Sequence, residues 1–322
     1  MKTKRFLTVV AMMLLMTMTG YAQSKVFFTK EITPEALVKI YKALGVEAKG
    51  RVAVKISTGE GGNNHYLKPT LIRNLVEEVN GTIVECGTAY GGSRQDPKKH
   101  WETIHEHGFD SIFAVDIMDE FGEIRIPIKD KKHLKYDIVG EHLANYDFMI
   151  NLAHFKGHAM GGFGGVMKNA SIGVASTAGK CYIHTAGKST DPATAWSPGI
   201  LAAGETQDLF LESMAAAAQA VHNYFSGKVL YINVMNNMSV DCDCDGHPAK
   251  PELKDMGIMA SLDPVAVDQA CLDMVFNYKG KPGDDNKPLI ERINRQHGTY
   301  ITDYAESIGF GSKKYVIVDL ER

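Results

Sequence analysis

The chain has 322 residues, 44% hydrophobic and 23% charged, with 35 Lys and Arg against 38 Asp and Glu and a formal net charge of -3. That length and apolar content suffice to bury a large core, in one large domain or two intimately joined ones. The nearly balanced charge, with no basic tract, argues against nucleic-acid binding.

At the start, Lys2, Lys4 and Arg5 precede an apolar run over 6–18, and Gly20-Tyr21-Ala22 puts small residues where a signal peptidase reads them. This is a secretory signal pattern with a predicted cut before Gln23. The run is shorter than the ~20 residues of a spanning helix. Residues 1–22 are therefore expected to be a signal peptide and 23–322 a single α/β domain. The mature chain is expected to be periplasmic or secreted, with no stable membrane insertion after signal removal. Loss of three positive charges would take the formal charge from -3 to -6.

Thr33 and Pro34 open a predicted helix through Ala36, Leu37, Ile40, Tyr41 and Leu44, since a hydroxyl caps free amides and proline fits the first turn. A strand over 51–57 leads through the Gly-rich turn 58–64 to a helix over 67–79 and a strand over 82–86. That β-loop-α-β order predicts a parallel sheet. A helical pattern follows over 96–107, then strands over 124–128 and 147–152. Leu209, Leu211, Met214, Ala218 and Val221 recur at helical spacing and predict a long helix over 207–224. Further strands are predicted over 228–234, 257–260 and 315–319, with helices over 263–278 and 302–308. The stretch 279–288, rich in Gly, Pro, Asp and Lys, reads as an exposed loop. The predicted class is α/β, a mostly parallel or mixed sheet flanked by helices.

The densest chemistry lies just beyond the strand at 147–152. His154, Lys156 and His158 would share one face if the strand continued, at the carboxyl end where open α/β sheets place ligands. Imidazoles bind metals or move protons, and a lysine beside them holds an anion. Gly161, Gly162, Gly164 and Gly165 then allow close backbone approach, followed by Lys168 and Asn169. Neither common nucleotide signature is present, so ATP and NAD are not expected ligands.

Cys242 and Cys244, within Asp241-Cys-Asp-Cys-Asp245, can present two sulfurs to one soft metal. A disulfide between them is expected to fit poorly at i,i+2 spacing. The remaining cysteines are Cys86, Cys181 and Cys271, so the odd total leaves at least one thiol free, metal-bound or reactive. Asp263 reads as a helix cap before Pro264. Arg94, after the glycines at 91 and 92, is expected to hold a carboxylate or phosphate.

The segments His154-Phe-Lys-Gly-His158, Gly161-Gly-Phe-Gly-Gly165, Lys168-Asn169, Cys242-Asp-Cys244 and 257–268 resemble the uncharacterised iron–sulfur centre proteins. This is a domain-of-unknown-function family, often fused to ferredoxin-type modules. The likeness covers about residues 50–275 and implies little about activity. The Cys-x-x-Cys-x-x-Cys run of the ferredoxin module is absent, which makes an iron–sulfur cluster less expected than a transition-metal ion.

The leading expectation is thus a metal-binding protein, redox or hydrolytic if an enzyme. Its candidate metal ligands are His154, His158, Cys242 and Cys244, with Lys156 and Lys168 as catalytic candidates. Gly162, Gly164, Gly165, Asn169 and Arg94 are the candidate ligand-binding residues. Two alternatives stay open: a metal-free binder of a small anion, and a thiol- or disulfide-active protein with a redox partner.

Overall fold

The computed structural model describes residues 23–202, 204 and 206–322; the expected signal peptide lies outside the described residues. The chain opens with strand β1 (Ser24–Thr29), which the sequence reading missed, and helix α1 (Pro34–Ala43). Thr33 caps α1 as expected, its Oγ1 accepting from the Ala36 amide at 3.1 Å. Then come β2 (Val52–Lys55), α2 (Pro69–Glu78), β3 (Gly81–Glu85), α3 (Pro97–Glu106) and β4 (Val115–Ile117). The hairpin β5 (Glu123–Pro127) and β6 (Tyr136–Gly140) stands apart from the main sheet.

After β7 (Phe148–His154) the chain forms a small hairpin, β8 (Lys156–His158) and β9 (Gly162–Gly164), and three short helices: α4 (Val166–Ala170), α5 (Thr177–His184) and α6 (Pro192–Ala195). The long helix α7 (Gln207–Tyr224) leads to β10 (Val229–Met235) and β11 (Gly257–Ser261). Helices α8 (Pro264–Asn277), α9 (Lys287–Arg295) and α10 (Tyr300–Ser307) precede β12 (Tyr315–Asp319). The expected loop therefore stops short: its last two residues, Lys287 and Pro288, begin α9, with proline in the first turn.

Among the described residues, eight strands form one sheet in the order β12-β1-β11-β10-β7-β2-β3-β4. The run from β10 to β4 is parallel, whereas β11 pairs antiparallel with both β10 and β1, so the sheet is mixed, as expected. Strands β2, β7 and β10 are buried along their whole length, which is why they read as nearly continuous apolar runs. Leu37, Ile40, Ile72 and Leu75 of α1 and α2 pack with Ile150 and Ile232 on one side. Phe210 and Met214 of α7 pack with Tyr231, Met259 and Leu272 in the other core.

This topology positions the site. Strands β2, β3, β7 and β10 run parallel, so their carboxyl ends lie along one edge of the sheet. The segments that leave those ends are the four polar, Gly- or Cys-containing stretches marked in the sequence.

Candidate functional site

Those segments enclose a cleft of about 570 Å³. Its walls come from Glu60 and Gly61 after β2, 90–93 after β3, 158–160 at the β8–β9 turn, Lys168, Ile172 and His184, and 241, 242 and 244–246 after β10. A hollow of similar size, about 620 Å³, opens between 250–252 and 280–287 but contains neither histidine nor cysteine. The cleft is therefore where the chemistry gathers.

Cys242 and Cys244 are joined as a disulfide with a Cα–Cα separation of 5.2 Å. This corrects the expectation of a poor fit, because about 4.4–6.8 Å is the usual range for a bridge. One ligand atom each from His158, Cys242 and Cys244 lies within 4.8 Å of the others, so the segments carrying imidazole and thiols do meet. The Cys242 sulfur also accepts from the Cys244 amide at 3.2 Å.

Asp243, between the two cysteines, turns the opposite way into the protein. Its Oδ1 lies 2.8 Å from His154 Nδ1 and its Oδ2 accepts from Lys156 Nζ at 2.7 Å. Burial would raise its pKa, but the charges of His154 and Lys156 prevail and hold the carboxyl well below its ordinary range. The other nitrogen of His154, Nε2, faces the Asn236 carbonyl. Both nitrogens are engaged by the protein's own oxygens, and neither is open to a metal. His154 is thus a correction to the expected ligand set, and Lys156 an amine already neutralised.

His158 is different. Its Nδ1 accepts from the amides of Met160 (3.2 Å) and Gly161 (2.8 Å), so the ring proton sits on Nε2. Burial, then the nearby charges of Lys168 and other groups, hold its pKa well below the ordinary value and keep it neutral. His184, overlooked in the sequence, also lines the cleft. Its Nδ1 donates to the Lys180 carbonyl at 2.7 Å, which leaves Nε2 as an acceptor. Burial brings its pKa down to about 4. The ring stacks on Phe210 and meets the edge of Trp196.

Arg94 is buried and does not await a ligand. Its Nε donates to Glu60 (3.3 Å) and its Nη1 to Glu85 (3.0 Å). Glu85 also receives Thr58 Oγ1 at 2.6 Å and lies 3.0 Å from His100 Nε2. Asn169 is likewise internal, donating to the Lys55 carbonyl and to Asn151 Oδ1. Both are corrections to the expected ligand contacts: their polar groups are saturated by partners the sequence could not pair with them.

The glycines serve packing. A Cβ on Gly162, whose φ is +81°, would lie 2.9 Å from the Gly298 Cα, and one on Gly165 would lie 2.3 Å from Asp268 Oδ1. Gly164 stands against the Lys156 side chain. None of the three lines the cleft. Asp268, fully buried, accepts from the Val166 and Met167 amides and from Asn233 Nδ2, and so holds the start of α4 in place. That fixes where Lys168 emerges. The Lys168 amine lines the cleft and has no hydrogen-bond or ion-pair partner among the described residues, while burial and then the charge of Lys156 lower its pKa to about 7.

A protein-family model described as Domain of unknown function (DUF362) matches residues 52–273. A search of curated proteins finds no match. Among solved structures, the fold is similar to that of a Thermotoga maritima protein, 13% identical with a TM-score of 0.45, covering 79% of this chain and 61% of that one. It is also similar to the lactate racemase apoprotein from Thermoanaerobacterium thermosaccharolyticum, 12% identical with a TM-score of 0.40, covering 66% of this chain and 50% of that one. The chain thus spans less than two thirds of either structure's length, and these likenesses concern the fold alone.

Proposed function

The chain belongs to the DUF362 family, whose description specifies no reaction, so from the cleft's own chemistry we propose an exported metal-binding protein with an enzymatic cleft. In its reduced form, Cys242, Cys244 and His158 hold one soft transition-metal ion. The observation that carries this reading is the approach of three ligand atoms to within 4.8 Å at the cleft wall. Two sulfurs and one imidazole form a donor set suited to zinc and similar ions, and three protein ligands leave a position open to water or substrate.

The bridge sets the condition. Two electrons and two protons from a dithiol reductant break the Cys242–Cys244 bond and yield two thiols, while the reductant becomes a disulfide. The metal then displaces the thiol protons. At His158 the metal would take Nε2 once the ring proton has moved to Nδ1, which then releases the Met160 and Gly161 amides it accepts from in the metal-free chain. When bound, the metal would supply Lewis-acid chemistry. The chain's own part is to hold the sulfurs from behind through Asp243 and to line the open side with Lys168 and His184. In an oxidising compartment the bridge would keep this site closed to metal until such a reductant acts on it.

The test uses anaerobic protein reduced with a phosphine and exposed to cobalt(II). The expected result is one equivalent of cobalt with thiolate-to-cobalt absorption, lost in Cys242→Ser/Cys244→Ser and in the oxidised wild type. Equal and negligible uptake by reduced wild type and double variant would end this reading. The disulfide itself favours a second one, direct thiol–disulfide exchange; it requires a bond reducible in the folded protein, which thiol titration with and without reductant measures.

A further inference from the structure

We propose that the cleft takes a small amphipathic carboxylate, its charged head held by Lys168 and His158 and its apolar body by Tyr90, Met160 and Ile172. This depends on the cleft being the functional site, as above, but it applies to the oxidised protein and needs no metal.

The charges around the cleft are nearly all matched within the protein. Arg94 is paired with Glu60 and Glu85, Lys156 with Asp243, and Arg292 with Asp241. Lys55 Nζ reaches the Ile56 carbonyl and Asn169 Oδ1, and Lys180 Nζ donates to the Ala175 carbonyl. Lys168 alone lacks such a partner among these groups. A half-buried ammonium without a counterion at the cleft wall attracts an anion, and one entering the cleft would supply the missing charge.

The neighbouring imidazole adds specificity. His158 carries its proton on Nε2, fixed there by two backbone amides at Nδ1, so it offers a neutral donor. An amine and an N–H donor on one wall suit the two oxygens of a carboxylate. The acids of the cleft do not cancel this attraction: Glu60 and Asp241 are paired, and Asp245 stands exposed. Its unpaired charge weighs against dianions such as hydrogen phosphate.

The rest of the lining is chiefly apolar. Ile172 is 5% exposed, and Tyr90 and Met160 are half-buried against the cleft. Such a surface stabilises a ligand body in proportion to the apolar area it covers. Volumes of roughly 300–1,000 Å³ are usual for small-molecule sites, so about 570 Å³ leaves room for an aryl or branched alkyl group.

Benzoate, acetate, benzyl alcohol and inorganic phosphate are the probes, measured by calorimetry on oxidised protein in chelator. Benzoate is expected to bind at least about tenfold more tightly than acetate or benzyl alcohol, since each lacks one half of the recognition. Phosphate is expected to be weakest. Benzoate affinity should fall about thirtyfold between about pH 6 and about pH 8.5, because the free amine loses its proton near pH 7. Lys168→Arg should keep binding and lose that pH dependence, and Lys168→Met should lose benzoate selectively.

Benzoate binding no tighter than acetate, unchanged in Lys168→Met, or absent altogether overturns the proposal. If Lys168→Met fails to fold, Lys168→Gln decides: benzoate binding unchanged in that variant sinks the idea. Cobalt uptake without benzoate binding would leave the metal reading standing, and benzoate binding without cobalt uptake would do the reverse.

Discussion

Two groups of ionisable side chains, one beneath the cleft and one lining it, are handled in opposite ways. Under the loops after β2 and β3, Glu60, Glu85, Arg94 and His100 are buried and mutually paired. Across the cleft, Lys168, His158 and His184 keep at least one polar atom without a protein partner. A buried charge whose partners are all internal contributes shape and rigidity. One without a partner carries an energetic cost that a ligand can relieve, so the unpaired side is where binding is expected.

Breaking the paired group should have the largest effect. Arg94→Met leaves two buried carboxylates without their main counter-charge and should cost about 3–5 kcal/mol in denaturant unfolding. A loss below about 1 kcal/mol would mean that the two sides do not differ in this way.

The second contrast is one of pH. His184 has its pKa lowered to about 4 in the folded chain, so between that value and about 6.5 the unfolded chain binds the proton and the folded one does not. Its contribution is complete above about pH 6.5 and is lost as pH falls towards 4, by up to about 3 kcal/mol. His184→Leu should flatten that part of the stability–pH curve, and an unchanged curve would remove His184 as its source.

The smallest effect should have the opposite sign. Lys168→Met removes a crowded, unpaired amine and should raise stability by roughly 1 kcal/mol below pH 7, where the amine is charged in both states. The gain should fade towards about pH 10.5, as the amine loses its proton in the unfolded chain too. Thermal unfolding across that range measures it; a destabilised variant would show that Lys168 is part of the framework after all.

Much of the framework was legible because its signals are local. Thr33-Pro34 and Asp263-Pro264 each combine a capping oxygen with a proline that suits the first turn, and both start helices. Strands β2, β7 and β10 were visible as apolar runs because both their faces are covered. Helices α4 and α5 were missed: α4 spans only five residues, and α5 is buried from Gly179 to His184, so neither shows an alternation of apolar and polar faces. His184 was hidden with them.

By itself the sequence determined an α/β chain whose polar, glycine-rich segments follow strands, and hence that these segments would gather at the carboxyl edge of a sheet. Which side chains there are available was decided only in three dimensions. His154 and Asp243 are 89 positions apart and Lys156 and Asp243 are 87 apart, yet each pair is in hydrogen-bonding contact. A residue's type states what it can bind. Whether it is already bound depends on distances of a few ångströms between remote strands, and neither spacing nor periodicity encodes those.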